Sequence, residues 1–302
     1  MSTRKIIVGI GEILWDVFPD GAKFGGAPAN FACSAAQLGG DNFEAHVVSS
    51  VGKDDLGLRA LASLNAHGVN TENVSSIDYP TGQVLVTLDA HGHASYEFAA
   101  NTAWDNIAWS DKLQSLAART DAVCFGTLAQ RSDTSRQTVQ SFVRATRPDC
   151  LRILDVNLRA TYWNEEILHQ SLELANVLKL NDTELPVLAE MLDFTGSDAE
   201  LLDKIARRFS LRQVALTRGA NGATLMSASG DCSELPGQPI NVVDTVGAGD
   251  AYTAVLAIGL LRGLPLPTIN AWGIRVAGFV CTQAGATPSF PSTLQRSESE
   301  GE

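Results

Sequence analysis

Short apolar runs alternate along this chain with longer stretches in which apolar residues return every three or four positions. The short runs are 6–10, 45–51, 122–126, 152–156, 177–180, 213–217 and 223–227. Several are apolar without a break, as strands buried on both faces are. Helical spacing fills 29–38, 55–67, 135–146, 165–175 and 198–209 between them. A longer helix is expected over 249–262, with Gly263 and Pro265 as its stop. This alternation predicts an α/β fold, a doubly wound and mostly parallel sheet flanked by helices.

One segment breaks the pattern. Residues 82–89 and 94–98 alternate apolar and polar positions around Ala90-His-Gly-His93. That is hairpin chemistry, and no helix follows it. Together with the run at 12–18 it is expected to form a small β-strand lid, built from about 12–24 and 81–103. The chain 1–302 then reads as one α/β domain with this lid, and the polar stretch 291–302 as a frayed, flexible tail.

Composition narrows the partners. Of the 302 residues, 45% are hydrophobic and 19% charged, enough for a full core. The net charge of -12 repels nucleic acid and anionic lipid, so neither is an expected partner. It repels ATP as well, so any phosphate site must be built locally from backbone N–H groups, a few cations and metal. The five cysteines form no CxxC pair and read as apolar thiols in a reducing compartment. The run 6–10 is too short for a signal sequence, and the longest apolar stretch, 248–264, carries Asp250 and Arg262. A cytoplasmic location is expected.

The most informative motif is Asp244-Thr-Val-Gly-Ala-Gly-Asp250, at the head of the long helix. Gly247, Ala248 and Gly249 are small enough for a phosphate to approach the backbone. The first N–H groups of a helix lack partners and favour negative charge. Asp250 stands beside this anion hole as a candidate base for a hydroxyl. A second motif, Phe24-Gly-Gly-Ala-Pro-Ala-Asn30, leads into a helix. Its glycines allow close approach of a ligand or of another backbone. Asn30 reads equally as a helix cap or a sugar contact. Asp16 follows the first strand, either as a solvated loop acid or as an acceptor for two hydroxyls.

Three further groups follow strands, where α/β proteins place ligands. Asn181 and Glu184 suit a hydrated magnesium ion, although Glu184 reads equally as a first-turn helix acid. Thr217-Arg-Gly219-Ala-Asn-Gly222 forms a turn suited to nucleotide phosphates. Arg159, in Asp155-Val-Asn157-Leu-Arg159, is a candidate clamp for a substrate oxygen. His91 and His93 lack a third ligand and are set aside as a metal site. Trp104 and Trp109 are expected to pack a core edge. No GxxxxGK[ST] loop occurs, and Gly9-Ile-Gly11 has Leu14 where a dinucleotide fingerprint needs its third glycine.

Taken together, these residues resemble the ribokinase-type (PfkB) carbohydrate kinase family over almost the whole chain. The amino-terminal signature matches Gly25-Gly-Ala-Pro-Ala-Asn30 through Gly39, and the carboxyl-terminal one Asp244 to Asp250. The resemblance implies a β lid closing over a sugar, Asp250 as base, and Gly247, Ala248 and Gly249 as anion hole. It implies sugar contacts from Asp16, Gly26, Asn30 and Arg159. It implies that Asn181 and Glu184 serve magnesium and phosphate, and that Thr217, Gly219 and Gly222 serve ATP. It also implies a monovalent-cation site, with potassium as the ion, from Asp244, Gly285 and Ser289 and the carbonyls of Val246 and Val280. Gly-Gly-Ala-Pro-Ala-Asn resembles fructokinases in particular, so fructose phosphorylated at its 6-hydroxyl is the expected reaction. The lid sequence Ala99-Ala100-Asn101 departs from the commoner fructokinase form, which leaves the role of Asn101 open. Ribose, a 2-keto-3-deoxy sugar acid or a nucleoside are alternative acceptors. A sugar-binding protein of the same fold is the non-enzymatic alternative. Exposed lid edges make a homodimer plausible.

Overall fold

The computed structural model describes residues 4–18, 21–88, 94–159 and 161–295. In chain order its strands are β1 (Lys5–Ile10), β2 (Leu14–Phe18), β3 (Gly21–Gly25), β4 (Phe43–Gly52), β5 (Val74–Ile77), β6 (Gly82–Leu88), β7 (Ala94–Phe98), β8 (Ala122–Phe125), β9 (Leu151–Asp155), β10 (Val177–Asn181), β11 (Gln213–Thr217), β12 (Ala223–Ser227) and β13 (Cys232–Leu235). The helices are α1 (Ala27–Gly39), α2 (Asp55–Ala66), α3 (Asp111–Ala117), α4 (Asp133–Ala145), α5 (Glu165–Leu174), α6 (Glu184–Met191), α7 (Asp198–Arg208), α8 (Ala248–Arg262) and α9 (Leu266–Cys281).

The larger sheet has the order β13-β12-β11-β10-β9-β8-β1-β4-β5. Its pairs are parallel from β5 to β11, and β12 and β13 add antiparallel to that edge. The mostly parallel, doubly wound expectation holds. Side chains alternate between two cores, as strands buried on both faces require. In β1, Ile7 joins the core under α1, α8 and α9, while Val8 and Ile10 join the core under α3 to α7. The connections run away from β1 on both sides, to β4 and to β8. Such a reversal opens a crevice at the carboxyl ends of the strands.

The smaller sheet, β3-β2-β6-β7, joins two hairpins through a parallel β2–β6 pair. The second hairpin matches its expectation. The first holds two strands where the sequence suggests one, because Gly21, Ala22 and Gly25 dilute the apolar signal of β3. The hairpin tip at 89–93, with His91 and His93, lies outside the described residues.

Other elements were hidden for physical reasons. In β5 only Val74 and Ile77 are apolar. Helix α9 is apolar around its circumference and interrupted by Gly273 and Gly278, so it shows no face. Helix α6 carries Pro186, which only a first turn tolerates. Two expectations need correction. Residues 291–295 are not a frayed tail: Leu294 is buried, and its carbonyl accepts a 2.8 Å bond from Trp272 Nε1. Residues 296–302 lie outside the described residues. Trp104 is buried as expected, but Trp109 is 37% exposed. Among the described residues, no helix is long and apolar enough to cross a membrane.

Helices α8 and α9 pack through Gly273, where a Cβ would stand 2.7 Å from ring atoms of Tyr252. That ring is buried and tethered by its hydroxyl to Asn270 Oδ1 at 2.8 Å, so it cannot yield. Overpacking of about 1–3 kcal/mol outweighs the roughly 1 kcal/mol of helix propensity that alanine adds. Gly273→Ala should therefore lower the thermal midpoint by a few degrees, read by calorimetry; a raised midpoint would refute this packing.

Candidate active site

Helix α8 begins beyond Gly247, a residue with φ of 82°. A Cβ there would lie 2.4 Å from the carbonyl oxygen of Ala286, so only glycine fits. This turn places Asp250 in the first turn of α8. Its Oδ2 accepts a 2.9 Å hydrogen bond from Asn30 Nδ2, on the first turn of α1. The two signatures, remote in sequence, thus meet at one bond. The Oδ1 of Asn30 is buried without a hydrogen-bond partner. Burial pushes the Asp250 carboxyl up to about 6, with help from the Asp155 charge; the Asn30 bond, Lys179 and Arg159 oppose the rise.

Beneath this pair lies a polar network that was not foreseen. Asp155, at the end of β9, accepts 3.0 Å and 2.9 Å bonds from Lys179 Nζ and Thr253 Oγ1. The same hydroxyl, which carries a single proton, also lies 3.0 Å from the carbonyl of Gly249, tying the network to the Gly247–Gly249 turn. Lys179 interrupts an otherwise apolar buried strand, and that was the available signal. Glu12, directly after β1, is also buried, and its Oε1 accepts from Ala27 N at 3.2 Å. Burial pushes Glu12 up to about 7, with the Asp250 charge adding to it. Glu12, Pro28, Cys124, Asp155, Asn157 and Asp250 line a common pocket. Asn157 holds φ of 41°, in the left-handed region that asparagine tolerates better than most side chains.

Among the expected sugar contacts, Asp16 lies on β2 opposite Lys23. Burial raises its carboxyl, and Arg159 opposes this, so the Arg159 charge reaches Asp16, Glu12 and Asp250 alike. Of the two approaches that these glycines allow, by a ligand or by another part of the chain, the second is seen directly. A Cβ on Gly26 would stand 2.4 Å from the carbonyl oxygen of Glu12, and one on Gly25 3.1 Å from Asp16 Oδ2. They make room for the protein's own chain. Asn101 is exposed, with φ of 54°, in a bend after β7.

Asn181 and Glu184 fall at the end of β10, beside Thr217 at the end of β11. Both oxygens of Glu184 are engaged, by Leu158 N at 2.9 Å and Asn181 N at 2.8 Å. Asn181 Oδ1 accepts from Thr183 N and Glu184 N at the start of α6. Gly219 (φ 52°) and Gly222 (φ 89°) shape the turn after β11. Gly222 is packed against β13, where a Cβ would meet the Leu235 carbonyl oxygen at 2.0 Å. Asp244 gathers Val246 N at 3.1 Å, Gly285 N at 3.2 Å and, at 3.4 Å, the ammonium of Lys23 from β3. The carbonyl of Val280 accepts from Gln283 N, and Ser289 is exposed. Among the described residues no cluster of three or more His, Cys, Asp or Glu is placed to hold a metal ion.

Comparison with known proteins agrees with this arrangement. The family model described as pfkB family carbohydrate kinase matches residues 20–293. A fructokinase from Klebsiella pneumoniae is 31% identical over 313 residues, which cover 95% of this chain and 97% of that protein. The crystal structure of an uncharacterized sugar kinase from Pyrococcus horikoshii superposes with a TM-score of 0.80 at 26% identity, covering 95% of each chain. A fructokinase from Xylella fastidiosa with bound ATP shares the fold with a TM-score of 0.83 at 21% identity over 96% of each chain. With the family model matched from the lid to the last described helical turn, and a relative aligned nearly end to end, this chain belongs to the pfkB family of carbohydrate kinases, phosphotransferases that act on a sugar.

Proposed function

We propose that this kinase transfers the γ-phosphoryl group of ATP to the 6-hydroxyl of fructose, yielding fructose 6-phosphate and ADP. The observation that carries the reading is the Asp250–Asn30 pair. Asp250 accepts the proton of the attacking hydroxyl, while the unpartnered Oδ1 of Asn30 is a ready acceptor for a second sugar hydroxyl. Fructose is favoured over ribose, a keto-deoxy sugar acid or a nucleoside by relatives named fructokinase, among them those of Klebsiella pneumoniae and Salmonella typhimurium.

In this reading the 6-oxygen forms a bond to the γ-phosphorus as the bond to the β-phosphate oxygen breaks. The proton passes late to Asp250, which chiefly orients the hydroxyl, because the transition state is loose. The N–H groups of the Gly247–Gly249 turn receive the developing charge. Asp16, Gly26 and Arg159 frame the sugar, and the smaller sheet serves as lid. Thr217, Gly219 and Gly222 bound the nucleotide phosphates. Magnesium, when bound, would neutralise part of the charge of those phosphates. No cage of protein carboxylates is found among the described residues, so Asn181 and Glu184 would hold the ion through its waters. Asp244, with Gly285 beside it, is the anionic group suited to potassium. An outer strand of the lid is the proposed dimer edge, and the cytoplasm the proposed location.

The test is ADP release with magnesium and ATP against fructose, ribose, glucose, a keto-deoxy acid and adenosine. Fructose should give the highest kcat/KM; stimulation by none of them would end the kinase assignment for these acceptors. Asp250→Asn should lower kcat by about three orders of magnitude or more while fructose binding stays within a few-fold. Its thermal midpoint should not fall, since the change removes a desolvated charge and keeps an acceptor for Asn30. Because the working form of Asp250 is the ionised one and its carboxyl is raised to about 6, the rate should fall as pH drops through about 6. A rate flat from pH 7 to 5 would contradict Asp250 as base. Omitting potassium should reduce the rate, and equal rates with and without it would remove the cation proposal.

A further inference from the structure

Lys179 is 6% exposed, in the middle of the parallel sheet, with its ammonium 3.0 Å from Asp155 Oδ1. The tip of its side chain fills the space on the side-chain face of Gly249. A Cβ built on Gly249 would stand 2.9 Å from Lys179 Nζ. This is a second reason for glycine at 249, distinct from phosphate approach. The ammonium therefore lies directly against the backbone of the turn that the proposed function uses as its anion hole.

We propose that Lys179 is the positioning residue that makes this turn a phosphate site, its buried ammonium offsetting the carboxylates of Asp155, Glu184 and Asp250 behind the Gly249 backbone. The inference rests on the proposed phosphoryl-transfer role of that turn. The charge argument decides which cation matters. Arg159 and Lys179 both act on Asp250, but Arg159 is exposed and screened by water and salt, whereas Lys179 is enclosed. Burial alone would depress the lysine; the Asp155, Glu184 and Asp250 charges outweigh it and hold the ammonium above its ordinary range. It stays charged at any working pH. Without it, three acids would face an anionic phosphoryl group in a chain of net charge -12. The hydroxyl of Thr253 links Asp155 to the Gly249 carbonyl, so loss of the ammonium also loosens the support of the turn.

A structural ion pair and an electrostatic support for the anion hole respond differently to paired substitutions. Lys179→Met leaves Asp155 unpaired in the interior. Lys179→Met with Asp155→Asn removes both charges, which folds about as well as the parent where packing is kept. In the double variant, kcat with fructose should still be lower by about 100-fold or more, with the fructose KM nearly unchanged. The acid limb of the rate profile should move to higher pH in Lys179→Met, where Asp155, Glu12 and Glu184 face Asp250 with only Arg159 and the Asn30 bond opposing them. Gly249→Ala, which pushes the ammonium aside without removing it, should lower kcat in the same direction. Calorimetric binding gives a reading independent of turnover: the double variant should bind ATP about tenfold more weakly than the parent, with adenosine affinity unchanged. A double variant restored to within threefold of the parent in kcat, or an ATP affinity unaltered by the loss of the lysine, would overturn the proposal. If the parent turns over no sugar, the function above fails, while the ATP and adenosine affinities still decide the role of Lys179.

Discussion

Everything in the site depends on keeping a carboxylate ionised in a place from which water is largely withdrawn. Asp250 sits at the head of α8 because that helix, apolar along nearly its whole length, is packed under the sheet with its first turn at the sheet's carboxyl edge. Its partial burial raises the cost of the charge, and the neighbouring Asp155 raises it further. The fold answers with a donor from α1 and an ammonium from β10. Remove the close packing of α1 against α8 and the Asn30 donor is no longer in reach. The helix layer is thus the means by which the acid is tuned, as well as its scaffold.

The general architecture was legible because its signals are periodic. Continuous apolar strands such as 177–180 and 213–217 and amphipathic helices such as α4 and α7 announce themselves. Elements without periodicity did not: α9 is apolar on every side, and β5 has only two apolar residues at its ends. The tail at 291–295 looked polar, yet a single Leu294 and one carbonyl dock it to Trp272.

The site divided in the same way. Asp250, Asn30 and Asp16 were visible because each stands in a glycine-rich or strand-end context. Lys179 and Glu12 were not singled out, because their significance is a matter of what surrounds them. A lone lysine in an apolar run has meaning only once Asp155, 24 positions earlier, is seen at its tip. The glycines mark close approach, as expected; at Gly25 and Gly26 the approaching atoms belong to Asp16 and Glu12.

The crowding at Gly249 also carries a consequence for how this chain can change over time. Positions 179 and 249 share one small volume, so neither is free to drift alone. A side chain at 249 must either push the Lys179 ammonium aside or meet a shorter residue at 179, and such a shortening leaves Asp155 without its counter-charge. Three sites scattered over 95 residues of sequence are therefore locked into a single evolutionary unit. A lineage that abandoned the lysine would be expected to lose the carboxylate at 155 with it, and then to tolerate alanine where glycine now stands.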